Sequence, residues 1–284
     1  MDNTDIPTVD QLADFREARC GNQAASWVYL KFDVHTGEAI EGGEDALAPP
    51  KYWDDVKDPT VVQYFRITSK THADEYERVL GAFMLTLDPS AFTIHSVDRV
   101  QNLSLWKTYA AKRAATCSRE DDPEKARRRF VRAWLFHGCS TDLAPKILQQ
   151  GFNRSFCGKH NTLYGKGVYF ARDASYSTYP LYCTPDAKDI QTVFLVRVVV
   201  GEYCKGYKHA VTPDVRNAAK NQLYDSTVDN PRDPSIFVTY HDAQAYPEYC
   251  IKFTQKKSSV PKEHPAANKP AHRLYRRNLV LDVD

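Results

Sequence analysis

The sequence predicts an α+β fold built on antiparallel sheets, and three observations carry that expectation. Strand-length apolar runs are numerous, whereas few segments show the three-to-four residue apolar spacing of a helix. The run 193–200 (VFLVRVVV) is almost wholly apolar and β-branched, as suits a strand buried on both faces. Many short strands with few helices favour layers of sheet carrying helices at their edges.

The elements follow in order. Residues 9–19 suit a short helix, 27–32 form an apolar stretch, and a Gly/Glu/Pro-rich segment ending at Pro49 and Pro50 reads as a linker. Segment 61–68 (VVQYFRIT) reads as a strand. Segment 73–87 sets Tyr76, Val79, Leu80, Phe83, Met84 and Leu87 on one helical face. Alternation over 92–100 predicts a second strand, and 103–115 a helix that packs Leu105, Trp106 and Tyr109. A strand at 132–136 runs into His137 and Gly138. The next helix, 142–150, ends at Gly151, a residue suited to the left-handed cap position. Beyond the central run, 236–240 and 249–253 are the last strands. After residue 256 the chain is rich in Pro, Lys, Arg and Ala without periodicity, and a flexible basic tail is expected.

Composition narrows the class. With 42% hydrophobic residues, 17 Tyr and 13 Phe, the 284-residue chain can build a sizeable core. A formal charge of only +2 does not mark it as a nucleic-acid binder. No apolar run reaches the roughly 18 residues of a membrane span, and the acidic start MDNTDIPTVDQ lacks the apolar core of a signal peptide. Seven cysteines, with no CxxC pair, fit reduced thiols rather than a disulfide frame or a zinc site. A cytoplasmic or nuclear location is the expectation. The basic run at 125–129 (KARRR) reads as a solvated helix or turn face rather than a nucleic-acid contact.

Three motifs carry chemistry: LFHG at 135–138, YGKGVYFARDASYS at 164–177, and the turn-rich DSTVDNPRDPSIFVTY at 225–240. Each alone could be structural. Together with QNLSLWKTY (101–109), GFNRS (151–155) and QAYPEY (244–249), in this order, they resemble the catalytic domain of the poly(ADP-ribose) polymerase-like, diphtheria-toxin-type ADP-ribosyltransferases. The likeness covers 51–255 and is closest in look to the vertebrate mono-transferases that carry macrodomains, although no macrodomain is present in this sequence. It divides the chain into an N-terminal extension (1–50), a catalytic domain (51–255) and the tail (256–284). The fold it implies is a split pair of antiparallel sheets with NAD+ in the cleft between them.

What the resemblance implies goes over residue by residue. His137 would hydrogen-bond the adenosine ribose, and the Gly138 backbone would clamp the nicotinamide amide with the Ser177 hydroxyl. Tyr169 would form one face of a sandwich around the nicotinamide ring, and Tyr182 the other, with Tyr179 close enough to compete. Departure of nicotinamide leaves an oxocarbenium-like ribose, as in other glycosyl transfers. NAD+ is the co-substrate and no metal is required. Polymerising members place a Glu at the start of the strand after the turn-rich loop; here Ile236 falls there, completing a His137–Tyr169–Ile236 triad. Isoleucine can neither accept a hydrogen bond nor hold a proton, so single transfers are expected. Glu248, in YPEY, is assigned a structural role.

Two departures stand beside the resemblance. Cys139 occupies a position usually held by Thr or Ser, and the loop 177–191 follows no fixed pattern. The first 50 residues show no counterpart of the regulatory helical bundle of the polymerases, so activation by DNA breaks is not expected. The acceptors implied are protein side chains, the chain's own included; nucleic-acid ends stay an alternative that nothing in the sequence indicates, and no membrane is involved. Two rival readings are an inactive module that binds NAD or ADP-ribose and a true polymer-forming enzyme.

Overall fold

The computed structural model describes residues 46–56, 58, 60–156, 162–257 and 260. The helix expected at 9–19, the apolar stretch at 27–32, Cys20, Cys157 and nearly all of the tail lie outside these residues.

Among the described residues the strands are β1 (Gln63–Arg66), β2 (Phe92–Gln101), β3 (Val131–Cys139), β4 (Val168–Ala171), β5 (Gln191–Val199), β6 (Tyr203–Lys205), β7 (Val215–Asn217), β8 (Gln222–Leu223), β9 (Ser226–Val228), β10 (Ile236–Thr239) and β11 (Ala245–Gln255). Helices are α1 (Ala73–Met84), α2 (Leu103–Cys117), α3 (Pro123–Phe130), α4 (Ala144–Gln150) and the single turn α5 (Ala174–Ser177). None is long and apolar enough to cross a membrane. Nine strands form one sheet in the order β1-β2-β11-β5-β3-β4-β10-β9-β6, and β7 pairs with β8 apart from it. The sheet is antiparallel except for the β6–β9 pair. It is nearly divided, because β3 and β4 share a single registered pair, Phe136 with Ala171. The expected pair of sheets is thus one continuous sheet that thins at a single seam.

Packing explains the layers. Every residue of β5 is buried, as its unbroken apolar run requires. The apolar face of α1 buries Tyr76, Val79, Leu80, Phe83 and Met84 and covers one side of the sheet, where Phe83 meets Phe253 at 5.4 Å. Asn102 caps α2 by accepting from the Leu105 amide at 3.1 Å. Helix α4 stops at Gly151, whose φ of +76° suits glycine. Helix α3, which holds the basic run, faces acids: Arg128 pairs with Glu124, Lys125 with Glu120, and Arg129 with Glu120 and Glu202.

The Pro49-Pro50 stretch differs from the linker expected there. Trp106 Nε1 donates to the Ala48 carbonyl at 2.7 Å, and the Trp53 ring lies 5.5 Å from Trp106 and 5.9 Å from Tyr246. The segment is docked because its aromatic and polar groups have buried partners waiting. Asp54 pairs with the buried Arg99, which also donates to Glu75 at 2.8 Å. Tyr52 donates to Glu248.

Glu248 is wholly buried at a bulge of β11, between Pro247 and Tyr249. Arg197 Nη2 of β5 donates to it at 2.7 Å and Trp134 Nε1 of β3 at 2.9 Å. Trp134 itself occupies a bulge between Arg132 and Leu135 with a left-handed φ of 63°. For a bulky residue such a backbone is strained and persists only where its surroundings impose it. Both neighbours of β5 therefore bulge at one level, tied together through one carboxylate.

Candidate active site

A cavity of 380 Å³ opens at the seam between β3 and β4. The end of β3 supplies His137, Gly138 and Cys139; α4 and the turn after it form one wall, and β4 with α5 and the following loop form another. Of the residues singled out from the sequence, His137, Gly138, Tyr169, Ser177 and Tyr182 line this cavity together.

His137 is half-buried, with its ring against Phe152 at 5.0 Å and Phe170 at 5.6 Å. Its Nδ1 lies 2.8 Å from the Tyr169 carbonyl oxygen. A carbonyl only accepts, so Nδ1 carries the proton and Nε2 is left with its lone pair. Burial lowers the imidazole pKa from 6.5, while the bond to Tyr169 acts in the opposite sense. The ring is neutral at pH 7.

Gly138 is required by close approach rather than by backbone angle. A Cβ there would lie 2.1 Å from the Ser177 carbonyl oxygen and 3.1 Å from the Cys183 Cβ. Ser177, the last residue of α5, is buried beside it. The Tyr169 hydroxyl donates to the Gly165 carbonyl at 2.9 Å and accepts from the Tyr164 amide at 2.9 Å, which holds the phenol end of the side chain. Tyr182 stacks on Tyr176 with centroids 4.8 Å apart and planes 15° from parallel, and Tyr176 donates to its hydroxyl at 3.0 Å. Burial raises both phenol pKa values. Tyr179 approaches Tyr182 only at a tilted 6.3 Å and is not in the cavity wall. Tyr176 is the aromatic that the sequence reading passed over. It stands next to Ser177 inside the quoted motif, so its position was visible but its partner was not.

Ile236 departs from the group. It opens β10, pairs with Ala171 and is buried with Val238 and Tyr240, with Tyr169 and Tyr176 packed against that cluster. It is not among the lining residues. The carboxylate bonded to its amide, that of Asp229, accepts from Ile236 N at 3.0 Å, Ser235 N at 2.9 Å and Ser235 Oγ at 2.5 Å. It holds the turn into β10 and also stays out of the wall. Glu248 is likewise absent from it. Among the described lining residues there is no carboxylate at all. No group of three His, Cys, Asp or Glu side chains that could hold a metal occurs among the described residues.

A divided antiparallel sheet with a histidine–glycine step facing a tyrosine strand across the seam defines a class, and comparison with known proteins agrees. Residues 73–255 match the poly(ADP-ribose) polymerase catalytic domain, and the chain belongs to that family. It is 39% identical over 219 residues to human protein mono-ADP-ribosyltransferase PARP12, covering 76% of this chain and 29% of the relative. It is 37% identical over 206 residues to human PARP14, another protein mono-ADP-ribosyltransferase, covering 72% and 11%. Mouse protein mono-ADP-ribosyltransferase PARP11 is 32% identical over 228 residues, covering 74% and 66%. The chain thus spans less than a third of the length of the PARP12 and PARP14 relatives.

Proposed function

We propose that this chain transfers single ADP-ribose units from NAD+ to protein side chains, its own included, with release of nicotinamide. The observation that carries the reading is the convergence of His137, Gly138, Tyr169, Ser177 and Tyr182 on one cavity whose described wall holds no carboxylate. The mono-transferase names of the relatives support it.

The residues fit a nicotinamide nucleotide. The Gly138 backbone, kept free of any Cβ, presents a donor and an acceptor to a carboxamide, and the Ser177 hydroxyl adds a third polar group. Tyr169 and Tyr182 offer aromatic faces, each contact worth about 1 kcal/mol. His137, neutral and oriented by Tyr169, offers Nε2 as an acceptor to a ribose hydroxyl. Bound NAD+ supplies a positively charged leaving group whose departure neutralises it. The chain's part is to hold ring and ribose in one orientation and to exclude water. Since Ile236 is buried and aliphatic, no side chain at that position can activate a hydroxyl of a first ADP-ribose. The acceptor must bring its own nucleophile.

Incubation with labelled NAD+ tests this directly. The expected product is a sharp modified band that a poly-specific hydrolase does not shorten. A ladder would overturn the single-transfer reading, and no labelling of folded protein would favour a binding module.

The depressed pKa of His137 fixes a pH dependence. Transfer should stay flat as pH falls through the ordinary histidine range near 6.5 and drop only below it, when Nε2 takes a proton and can no longer accept. Below pH 6.5 the unfolded chain binds that proton first, so His137's stability contribution is lost as pH falls from there to its folded pKa. A rate–pH profile with its acid limb abolished in His137→Gln would check the assignment. A limb centred above the ordinary value would contradict it.

A further inference from the structure

Lys146, on α4, lines the cavity, is exposed at its rim and is the cation of the described wall, which holds no opposing carboxylate. It forms no ion pair or hydrogen bond with any described residue, so its ammonium is available to a ligand. Asp142, one turn earlier, neither lines the cavity nor pairs with it. Arg154, next to the lining Asn153, is already committed. It donates to the Tyr240 and Val211 carbonyls at 3.1 and 3.2 Å, and its guanidinium lies 5.9 Å from the Tyr240 ring.

We propose that Lys146 is a donor-binding residue whose ammonium pairs with the diphosphate of NAD+ and so sets affinity for the donor. The inference rests on the function proposed above. That reading gives the wall of Gly138, Ser177 and Tyr182 to nicotinamide, which leaves the α4 wall to the adenosine half. There Leu143, Ile147 and Phe152 offer apolar surface. The diphosphate joins the two halves, so its two negative charges pass the stretch between the walls, within reach of a flexible lysine at the rim. A rim-exposed pair is weak for a single charge, but a diphosphate doubles the partner charge, and no described acid is paired with Lys146.

The test uses the full chain and the variants Lys146→Ala and Lys146→Glu, titrated with NAD+, ADP-ribose and benzamide, which carries the carboxamide without phosphate. Lys146→Ala is expected to weaken NAD+ and ADP-ribose about five- to tenfold, Lys146→Glu further, with benzamide unchanged. The KM for NAD+ should rise by the same factor at nearly constant kcat. High salt should shrink the difference between wild type and variant, because an exposed pair is screened. Unchanged NAD+ affinity in Lys146→Ala, with wild type binding normally, would overturn the assignment. So would an equal loss for benzamide, which would mark a general distortion of the cavity. A wild-type protein that binds neither NAD+ nor benzamide would instead defeat the proposed function itself.

Discussion

Gly138→Ala is expected to cut transfer by roughly a hundredfold while leaving a folded protein. The added Cβ would fall 2.1 Å from a backbone carbonyl oxygen, that of Ser177, and a backbone atom cannot swing aside as a side-chain tip can. Either the end of β3 or α5 must retreat by on the order of 1 Å, a displacement that costs roughly a hundredfold in rate at a site built on alignment. The overpacking costs about 1–3 kcal/mol of stability, so circular dichroism should still report native structure at room temperature. Titration with a nicotinamide-like ligand is the direct measurement, since Gly138 and Ser177 would lose their common geometry. Wild-type ligand affinity in folded Gly138→Ala would show that the cavity tolerates the shift and that these two residues do not form the amide clamp.

Glu248→Ala should produce the largest loss of stability among single substitutions at this network. It leaves the Arg197 guanidinium, the Trp134 indole and the Tyr52 hydroxyl without their shared acceptor in the interior. Breaking a buried pair by removing one partner costs about 3–5 kcal/mol, against a total of roughly 5–15 kcal/mol for a domain. The expected fall in Tm is roughly 6–20 °C for a domain of this size. Glu248→Gln keeps the shape and one acceptor oxygen, so its loss should be smaller and its transfer rate per folded molecule close to wild type. A hundredfold drop in rate for Glu248→Gln at unchanged Tm would make this carboxylate catalytic, and the structural role drawn from its burial would fall.

Long elements with their own periodicity were legible from the residues alone. The face of α1, the alternation of β2 and the apolar run of β5 each carry enough repeats to declare themselves. Strands β4 and β6 to β9, of four residues or fewer, do not, because their existence depends on a partner strand rather than on local pattern. The same division holds at the site. The resemblance to the family, carried along one motif and the loop after it, pointed to Tyr169, Ser177 and Tyr182, and these three line the cavity. What makes position 138 a glycine is the Ser177 carbonyl, which only the folded chain brings near. The buried partners of Trp53 and Asp54 likewise lie on distant strands and helices, so a proline pair that reads as a tether belongs to the packed body.

The single backbone pair that joins β3 to β4 has a consequence for how the domain resists heat and amide exchange. Within each half of the sheet, strands are laced by runs of ladder bonds; across the seam one registered pair and the His137–Tyr169 bond do that work. Backbone separation along this line breaks few ladder bonds, so local opening is expected there before elsewhere in the sheet. A molecule touching Gly138 on one side and Tyr169 on the other becomes a cross-strut between two plates that share an apolar core but few backbone bonds here. Its binding free energy then adds to the cohesion of the plates by mass action. Ligands that span the seam should therefore suppress local opening beyond what their contact with either plate alone would achieve, and the empty domain is the more compliant body.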